Sequence, residues 1–195
     1  GLNRAEAMSR QGAYIEEPDS SPSTLGYEAA GVIDAVGEGV TEFKIGDRVS
    51  TIPGFSMKNY GVYGESAIAP VAMVAKYPAK LSPQEGTAIW MQYITAYGAL
   101  VEYGQVKSGD FVLISAASSS VGSAAIQITK AAGATAIATT RGASKKQILL
   151  DNGADYVIVT DEEDLPTRVM EITNGEGANL IFDPVAGSFI ETLAN

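Results

Sequence analysis

Apolar and polar stretches alternate regularly along residues 82–195. Short apolar runs predict four strands, at 110–116, 135–140, 156–160 and 179–185. Amphipathic stretches between them predict helices at 120–132, 144–151 and 163–173. A glycine or an Asn-Gly pair follows each helix, as is usual where a helix ends in a left-handed residue. Strands separated by helices pair in parallel through right-handed crossovers, so this half is predicted to be a doubly wound α/β sheet.

A longer helix is predicted ahead of the first of these strands. Ser82 fits the N-cap position, with Pro83 next and Glu85 at the third helical position, and the three together form a capping box. Gly104 is predicted to follow the last turn of this helix. The α/β part then has four strands rather than the six that such domains usually contain. We therefore expect the chain to be a fragment.

Residues 1–80 have a different pattern, in which short alternating runs are separated by glycine and proline. "AGVIDAV" and the stretch near Asp47–Ile52 predict two strands, and a turn at Gly37-Glu38-Gly39 lies between them. "GESAIAPVAMVAKYP" predicts further strand. We therefore expect residues 1–81 to form part of a mostly antiparallel β domain and residues 82–195 to form the α/β domain.

The composition is typical of a globular protein, with 46% hydrophobic and 18% charged residues. The net charge of −10 argues against binding nucleic acid through a general electrostatic field. No apolar run reaches the ~18 residues that a membrane-spanning helix needs. The chain has no cysteine and no histidine, which excludes disulfides, zinc sites of Cys/His type, Ser-His-Asp triads and a histidine general base. Chemistry must therefore use Tyr, Ser, Thr, Lys, carboxylates or a bound cofactor.

The stretch "FVLISAASSSVGSAAIQITK", residues 111–130, predicts a strand that turns directly into a helix. Dinucleotide-binding turns of this kind carry the pattern G-x-G-x-x-G, whereas the six positions here run from Ala117 to Gly122 and keep only the last glycine. The positions between them are Ser118, Ser119, Ser120 and Val121. Hydroxyls and N–H groups at a helix N-terminus favour an anion. Taken alone, however, this turn is better explained as an ordinary serine-capped helix.

A cationic cluster follows the next predicted strand. The nineteenth residue after Gly122 is Arg141, with Thr140 before it and Lys145 shortly after it. At this point of a dinucleotide-binding unit, an acidic residue holds the ribose hydroxyls of NAD, whereas an arginine accepts the 2′-phosphate of NADP. A solvated surface charge is the alternative for Arg141 alone. Together with the serine turn, the cluster favours an NADP(H) site.

These features occur in a chain that resembles the medium-chain dehydrogenase/reductase superfamily, above all its zinc-independent quinone oxidoreductase branch. The matching stretches, in the family's order, are "LNRAEAMSRQGAY", "LGYEAAGVIDAVGEGVTEFKIGDRV", "YITAYGAL", "VLISAASSSVGSAAIQ", "ATTR" and "FDPVAG". They span nearly the whole chain. The resemblance implies an incomplete Rossmann-type doubly wound parallel sheet, preceded by part of a GroES-like, mostly antiparallel β catalytic domain. It also implies that further strands precede Gly1 and follow Asn195.

The resemblance also implies a site without metal. Where zinc-dependent relatives hold catalytic zinc with Cys, His and Cys, this chain has Asn3, Tyr27 and Met91. None of these is a usual zinc ligand. Zinc-free members of the family reduce quinones or α,β-unsaturated carbonyls with NADPH. Hydrogen bonds can stabilise the negative charge that such acceptors develop on oxygen, whereas a simple alcohol needs a metal to lower the pKa of its hydroxyl.

The same resemblance implies roles for single residues. Asn3 and Thr95 are expected beside the nicotinamide, and Tyr27 is expected to donate a hydrogen bond to a substrate carbonyl. Asp183 and Val185 end the last predicted strand, where ligands gather in open α/β sheets. Each of these residues also has a purely structural alternative. These alternatives are a turn residue for Asn3, a threonine inside a helix for Thr95, a half-buried tyrosine for Tyr27 and a helix cap for Asp183.

The sequence therefore predicts an NADPH-dependent, zinc-independent oxidoreductase that transfers hydride to a small quinone or enone. Two alternatives stay open: an enoyl-thioester reductase of the same superfamily, and a non-catalytic protein that binds NADPH as a sensor. We expect no nucleic-acid or membrane partner, a cytoplasmic location, and a homodimer when the protein is full length.

Overall fold

The computed structural model of the chain describes residues 1–16, 23–187 and 190–194. Two compact units are present, Gly1–Met91 and Gln92–Asn195. Within the described ranges, no helix has the length and apolar character needed to cross a membrane. The domain boundary predicted after residue 81 stays a prediction.

The first unit is built around a three-stranded antiparallel sheet. Its strands are β1 (Ala30–Val32), β2 (Arg48–Thr51) and β3 (Val74–Lys76), with β2 in the centre. Val49 on β2 faces Gly31 on one side and Lys76 on the other. The predicted antiparallel β structure is confirmed, although only the end of "GESAIAPVAMVAKYP" forms a strand.

The first unit also contains two short helices that the sequence pattern did not predict, α1 (Arg4–Arg10) and α2 (Met57–Tyr60). Asn3 is the N-cap of α1, and its backbone N–H donates to Glu6 Oε2 at 2.8 Å. Ser56 caps α2, because its Oγ accepts from the N–H of Lys58 at 3.2 Å. The spacing of Asn3 and Glu6 is the capping signal that could have revealed α1.

The prediction of one helix over residues 82–103 is wrong. The segment forms α3 (Pro83–Gly86), α4 (Trp90–Tyr97) and a π-helical stretch at Gly98–Tyr103. The expected capping box of Ser82 and Glu85 is present at the start of α3. A second helix can begin at α4 because Glu28 Oε1 accepts from the backbone N–H of Met91 at 2.8 Å, satisfying a first-turn donor.

Gly104 does not end this segment in the predicted left-handed conformation. Its φ is −75°, and the positive φ of 50° falls on Gln105 instead. A Cβ atom on Gly104 would lie 2.9 Å from the Ala99 carbonyl oxygen. The glycine is therefore needed for close packing rather than for its backbone angle.

The second unit contains a four-stranded, wholly parallel sheet. Its strands are β4 (Phe111–Ile114), β5 (Thr135–Thr140), β6 (Tyr156–Val159) and β7 (Leu180–Phe182), in the order β6-β5-β4-β7. The helices are α5 (Ser120–Ala131), α6 (Lys146–Asp151), α7 (Leu165–Ile172) and α8 (Ile190–Ala194). All four predicted strands are confirmed, although β4 and β7 are each shorter than predicted. The strand order reverses beside β4, which is where such sheets bind ligands.

Apolar layers cover both faces of this sheet. Successive residues of β4 point in opposite directions, so Val112 and Ile114 join one cluster and Leu113 joins the other. The first cluster includes side chains of α5 and α6, and the second includes side chains of α7 and α8. The doubly wound architecture is therefore confirmed.

Candidate functional site

The turn between β4 and α5 is tight because Gly122 packs directly against it. A Cβ atom on Gly122 would lie 2.6 Å from the Ala116 carbonyl oxygen and 2.7 Å from Ala117 Cα. These distances fit the close approach of helix and strand that the third glycine of a dinucleotide turn provides. The left-handed residue of the turn is Ala116, with a φ of 44°, one position before the first glycine of the pattern.

Ser119 caps α5. Its Oγ accepts from the N–H of Gly122 at 3.1 Å, and its carbonyl oxygen accepts from the N–H of Ser123 at 2.9 Å. The N–H groups of Ser120 and Val121 have no partner in the part of the chain that the structure describes. The turn is thus a serine-capped helix that still presents two free amides, which is the arrangement that binds phosphate at helix N-termini.

Substitutions of Ser119 should separate capping from phosphate access. We expect Ser119→Leu to weaken NADPH and NADH alike, because a bulky side chain would stand where the pyrophosphate approaches. Ser119→Ala should cost about 0.5–2 kcal/mol of stability with little loss of binding, and Ser119→Gly only a few tenths. Dissociation constants and thermal melting check both effects. Normal NADPH binding by the Leu variant would mean that the turn is a cap alone.

Lys145 reaches from the loop after β5 to the serine turn. Its Nζ donates to the Oγ of Ser118 at 3.3 Å, across 27 positions of sequence. Thr140 ends β5, and its hydroxyl donates to the Gly142 carbonyl oxygen at 3.3 Å. Arg141 follows, and its exposed guanidinium makes no hydrogen bond or ion pair with any residue that the structure describes. The predicted cationic cluster and the predicted serine turn therefore lie together.

A cavity of about 470 Å³ lies between α5 and α6 beside this cluster. It is lined by Ser118, Ser123, Lys145, Ile148, Leu149, Asp151 and Asn152. Its polar lining combines the Lys145 ammonium, the Ser118 and Ser123 hydroxyls, the Asp151 carboxylate and the Asn152 amide.

The carboxyl ends of β4 and β7 are joined by Ser115 and Asp183. The Ser115 hydroxyl donates to Asp183 Oδ1. The two oxygens of Asp183 also accept from the N–H groups of Val185 and Ala186 at 3.1 and 3.0 Å. The carboxylate therefore holds its own turn, as the cap alternative predicts, and Val185 is exposed beside it.

Two buried carboxylates organise the candidate site of the first unit. Glu28 Oε2 accepts from Asn3 Nδ2 at 2.9 Å, and Glu28 Oε1 accepts from the N–H of Met91 at 2.8 Å. Glu6 accepts from the N–H groups of Asn3 and Tyr27 at 2.8 and 3.2 Å. The three positions that the resemblance matched to zinc ligands are therefore linked through Glu6 and Glu28.

Tyr27 lies within an aromatic cluster. Its ring centroid is 6.4 Å from that of Tyr14 and 5.8 Å from that of Phe55, and Tyr60 packs on Phe55. Phe55 lies just before α2, and Tyr60 is the last residue of that helix. Burial raises the pKa of Tyr27 well above its ordinary value, and the charges of Glu16 and Glu6 act in the same direction.

Thr95 lies on an exposed part of α4. Its expected position beside a nicotinamide stays a prediction.

Tyr14, Glu28 and Ser115 are among the residues of these arrangements that were not singled out from the sequence. Glu28 stands beside Tyr27 in "GYEAAG", and Ser115 ends an apolar run, so each had a local signal. Tyr14 had none, because only the folded chain brings it to Tyr27.

The two halves of the chain match two family profiles in order. Residues 1–79 match the alcohol dehydrogenase GroES-like domain, and residues 120–195 match the family described as zinc-binding dehydrogenase. Human quinone oxidoreductase is 38% identical over 186 residues, which are 95% of this chain and 55% of that protein. The chain belongs to the medium-chain dehydrogenase/reductase superfamily. Within it, the chain is quinone oxidoreductase-like.

Further relatives of this superfamily member agree with the assignment. The rat synaptic vesicle membrane protein VAT-1 homolog is 35% identical over 188 residues, which are 96% of this chain and 45% of that protein. The quinone oxidoreductase of Escherichia coli, solved in complex with NADPH, superposes with a TM-score of 0.85 at 35% identity, covering 98% of this chain and 57% of that one. The chain spans about half the length of the curated relatives it matches.

Zinc, which one family description names, does not fit the residues present. The sequence has no cysteine or histidine. Among residues 1–16, 23–187 and 190–194, no group of three or more carboxylates is arranged to hold a metal ion.

Proposed function

We propose that this protein is a zinc-independent, NADPH-dependent oxidoreductase that reduces a quinone or an α,β-unsaturated carbonyl. The observation that carries the proposal is the exposed guanidinium of Arg141, which has no partner among the described residues. It lies four positions before Lys145, whose ammonium donates to the Ser118 hydroxyl. An exposed arginine at this end of a parallel sheet is suited to the 2′-phosphate of NADP. The NADPH complex of the Escherichia coli relative supports the same cofactor.

Each part of the cofactor has candidate partners in the second unit. The free amides of Ser120 and Val121 would bind the pyrophosphate, and the absence of a side chain at Gly122 lets α5 approach. Arg141 and Lys145 would hold the 2′-phosphate, with the Ser118 hydroxyl as a further ligand. Asp183 would position the turn that carries Val185 rather than bind the cofactor through its carboxylate.

The first unit would supply the groups that act on the substrate. When bound, the nicotinamide supplies the hydride. Tyr27 would donate a hydrogen bond to the substrate oxygen that gains negative charge, and its raised pKa keeps the donor protonated. Glu28 would hold the Asn3 amide in place. The expected role of Thr95 beside the nicotinamide is part of the proposal.

The rate at which the purified full-length protein oxidises NADPH with a panel of acceptors tests this function. We expect NADPH to be oxidised in the presence of quinones or enones, and more slowly or not at all with simple ketones. Preferential reduction of enoyl thioesters would favour the alternative reductase. Tight NADPH binding with no turnover on any acceptor would favour the sensor protein and overturn the proposal.

Removal of metal should leave the activity unchanged. Neither Asn3, Tyr27 nor Met91 offers a usual zinc ligand, so a strong chelator has nothing to extract from these positions. The check is the turnover rate before and after dialysis against the chelator, with elemental analysis of the protein. Stoichiometric zinc whose loss abolishes turnover would contradict zinc independence.

A further inference from the structure

Tyr14 and Tyr27 form a pair of hydrogen-bonded hydroxyls. The Tyr14 O–H donates to the Tyr27 oxygen at 3.3 Å, and the two rings meet edge to face. Tyr14 follows the turn after α1, whereas Tyr27 precedes β1. The function proposed above uses Tyr27 and assigns nothing to Tyr14.

Tyr27 is fixed on several sides. Its backbone N–H donates to Glu6 at 3.2 Å, and its carbonyl oxygen accepts from the Thr51 hydroxyl at 2.8 Å. Its ring packs against Phe55, and only 7% of the residue is exposed. The position of the Tyr27 hydroxyl is therefore set by the fold, and what remains variable is the direction of its proton.

Tyr14 determines that direction. A phenol has one proton to donate, and the lone pair of Tyr27 that faces Tyr14 is used to accept. The Tyr27 proton must then point away from Tyr14, and within the described residues it has no acceptor there. A hydroxyl that accepts one hydrogen bond also becomes a stronger donor of the next, because the two bonds polarise each other.

We propose that Tyr14 is a positioning residue, which aims and strengthens the Tyr27 hydroxyl as the hydrogen-bond donor to the substrate carbonyl oxygen. This inference rests on the proposed function. Hydride addition to the β-carbon of an enone moves the C=C electron pair toward the carbonyl, so that the negative charge appears on that oxygen. The Tyr27 O–H would stabilise this enolate and keep its own proton, and a solvent proton would then add to the α-carbon.

The surroundings support a donor that is not itself ionised. Burial raises the pKa of Tyr27, and the Glu16 and Glu6 carboxylates reinforce that shift because they disfavour a second negative charge nearby. The phenol therefore stays protonated at neutral pH. Tyr14 can act on the substrate only through Tyr27, and this makes its contribution separable by substitution.

Removal of single hydroxyls tests the proposal in the full chain. Tyr27→Phe should lower kcat about 100- to 1000-fold, as expected for loss of a donor to a developing oxyanion. Tyr14→Phe should lower kcat about 2- to 10-fold, the value of one neutral hydrogen bond, with KM and the NADPH dissociation constant unchanged. The double variant should be no slower than Tyr27→Phe alone. Tyr103→Phe, which removes a hydroxyl from an exposed residue of the second unit, is the control.

Each outcome decides between the inference and its alternatives. Equal kcat for wild type and Tyr14→Phe would overturn the positioning role while leaving the reductase function intact. Independent, multiplicative losses in the double variant would show that Tyr14 acts by another route, which also overturns it. A wild-type chain with no turnover on any quinone or enone would instead remove the proposed function and this inference with it.

Discussion

Arg141→Ala should weaken NADPH binding by about 10- to 150-fold and change NADH binding little. The guanidinium has no partner in the described part of the chain, so it is available for charge-assisted hydrogen bonds to the 2′-phosphate. Such bonds are each worth ~1.5–3 kcal/mol, and that range converts to the stated factor. The fold should be preserved, because the Arg141 backbone carbonyl, which accepts from Asp161 at 3.1 Å, is untouched.

Three further variants sharpen this test of cofactor choice. Arg141→Asp should shift preference toward NADH, and Arg141→Lys should recover only part of the NADPH affinity, because an ammonium cannot form the bidentate contact. Lys146→Ala removes an exposed cation nearby and serves as the control for general electrostatics. Dissociation constants at one fixed ionic strength provide the measurement. Equal losses for both cofactors in Arg141→Ala would remove the main support for NADP.

Gly122→Ala should destabilise the second unit by about 1–3 kcal/mol and lower its melting temperature by about 4–8 °C for each kcal/mol, as for a domain of about one hundred residues. The added Cβ would lie 2.6 Å from a backbone carbonyl oxygen and 2.8 Å from the Ala117 carbonyl carbon, and backbone atoms cannot move aside cheaply. To relieve the overlap, α5 must move away from β4. Since the free amides of Ser120 and Val121 move with it, both nicotinamides should bind more weakly.

Gly98→Ala is the matched control for this glycine. Gly98 also lies in a helical segment of the second unit, but an added Cβ there meets no atom within 4 Å. Alanine is favoured over glycine in helices by about 1 kcal/mol, so this variant should be neutral or more stable. Thermal melting compares the two directly. A Gly122→Ala variant as stable as wild type would mean that the turn between β4 and α5 is more adaptable than its geometry indicates.

The elements of the second unit could be predicted because the signals for them are local. Parallel strands buried on both faces appear as continuous apolar runs, and β5 falls on the predicted residues 135–140. The long helix at 82–103 was mispredicted for the opposite reason. Its interruption depends on Glu28, a side chain more than fifty positions earlier that accepts from the N–H of Met91. Nothing in residues 87–89 themselves indicates that contact.

The features of the candidate site also divide into those that local sequence signals predict and those that depend on long-range contacts. The sequence by itself determined the order of strands and helices after residue 110, the acidic charge, the lack of cysteine and histidine, and the matching stretches that mark the superfamily. Only the tertiary structure decided the strand order β6-β5-β4-β7, the bridge from Lys145 to Ser118, and the meeting of Tyr14 with Tyr27. The physical reason is range: periodicity and capping depend on neighbours within a few residues, whereas these contacts join side chains that are close only because the chain between them has folded.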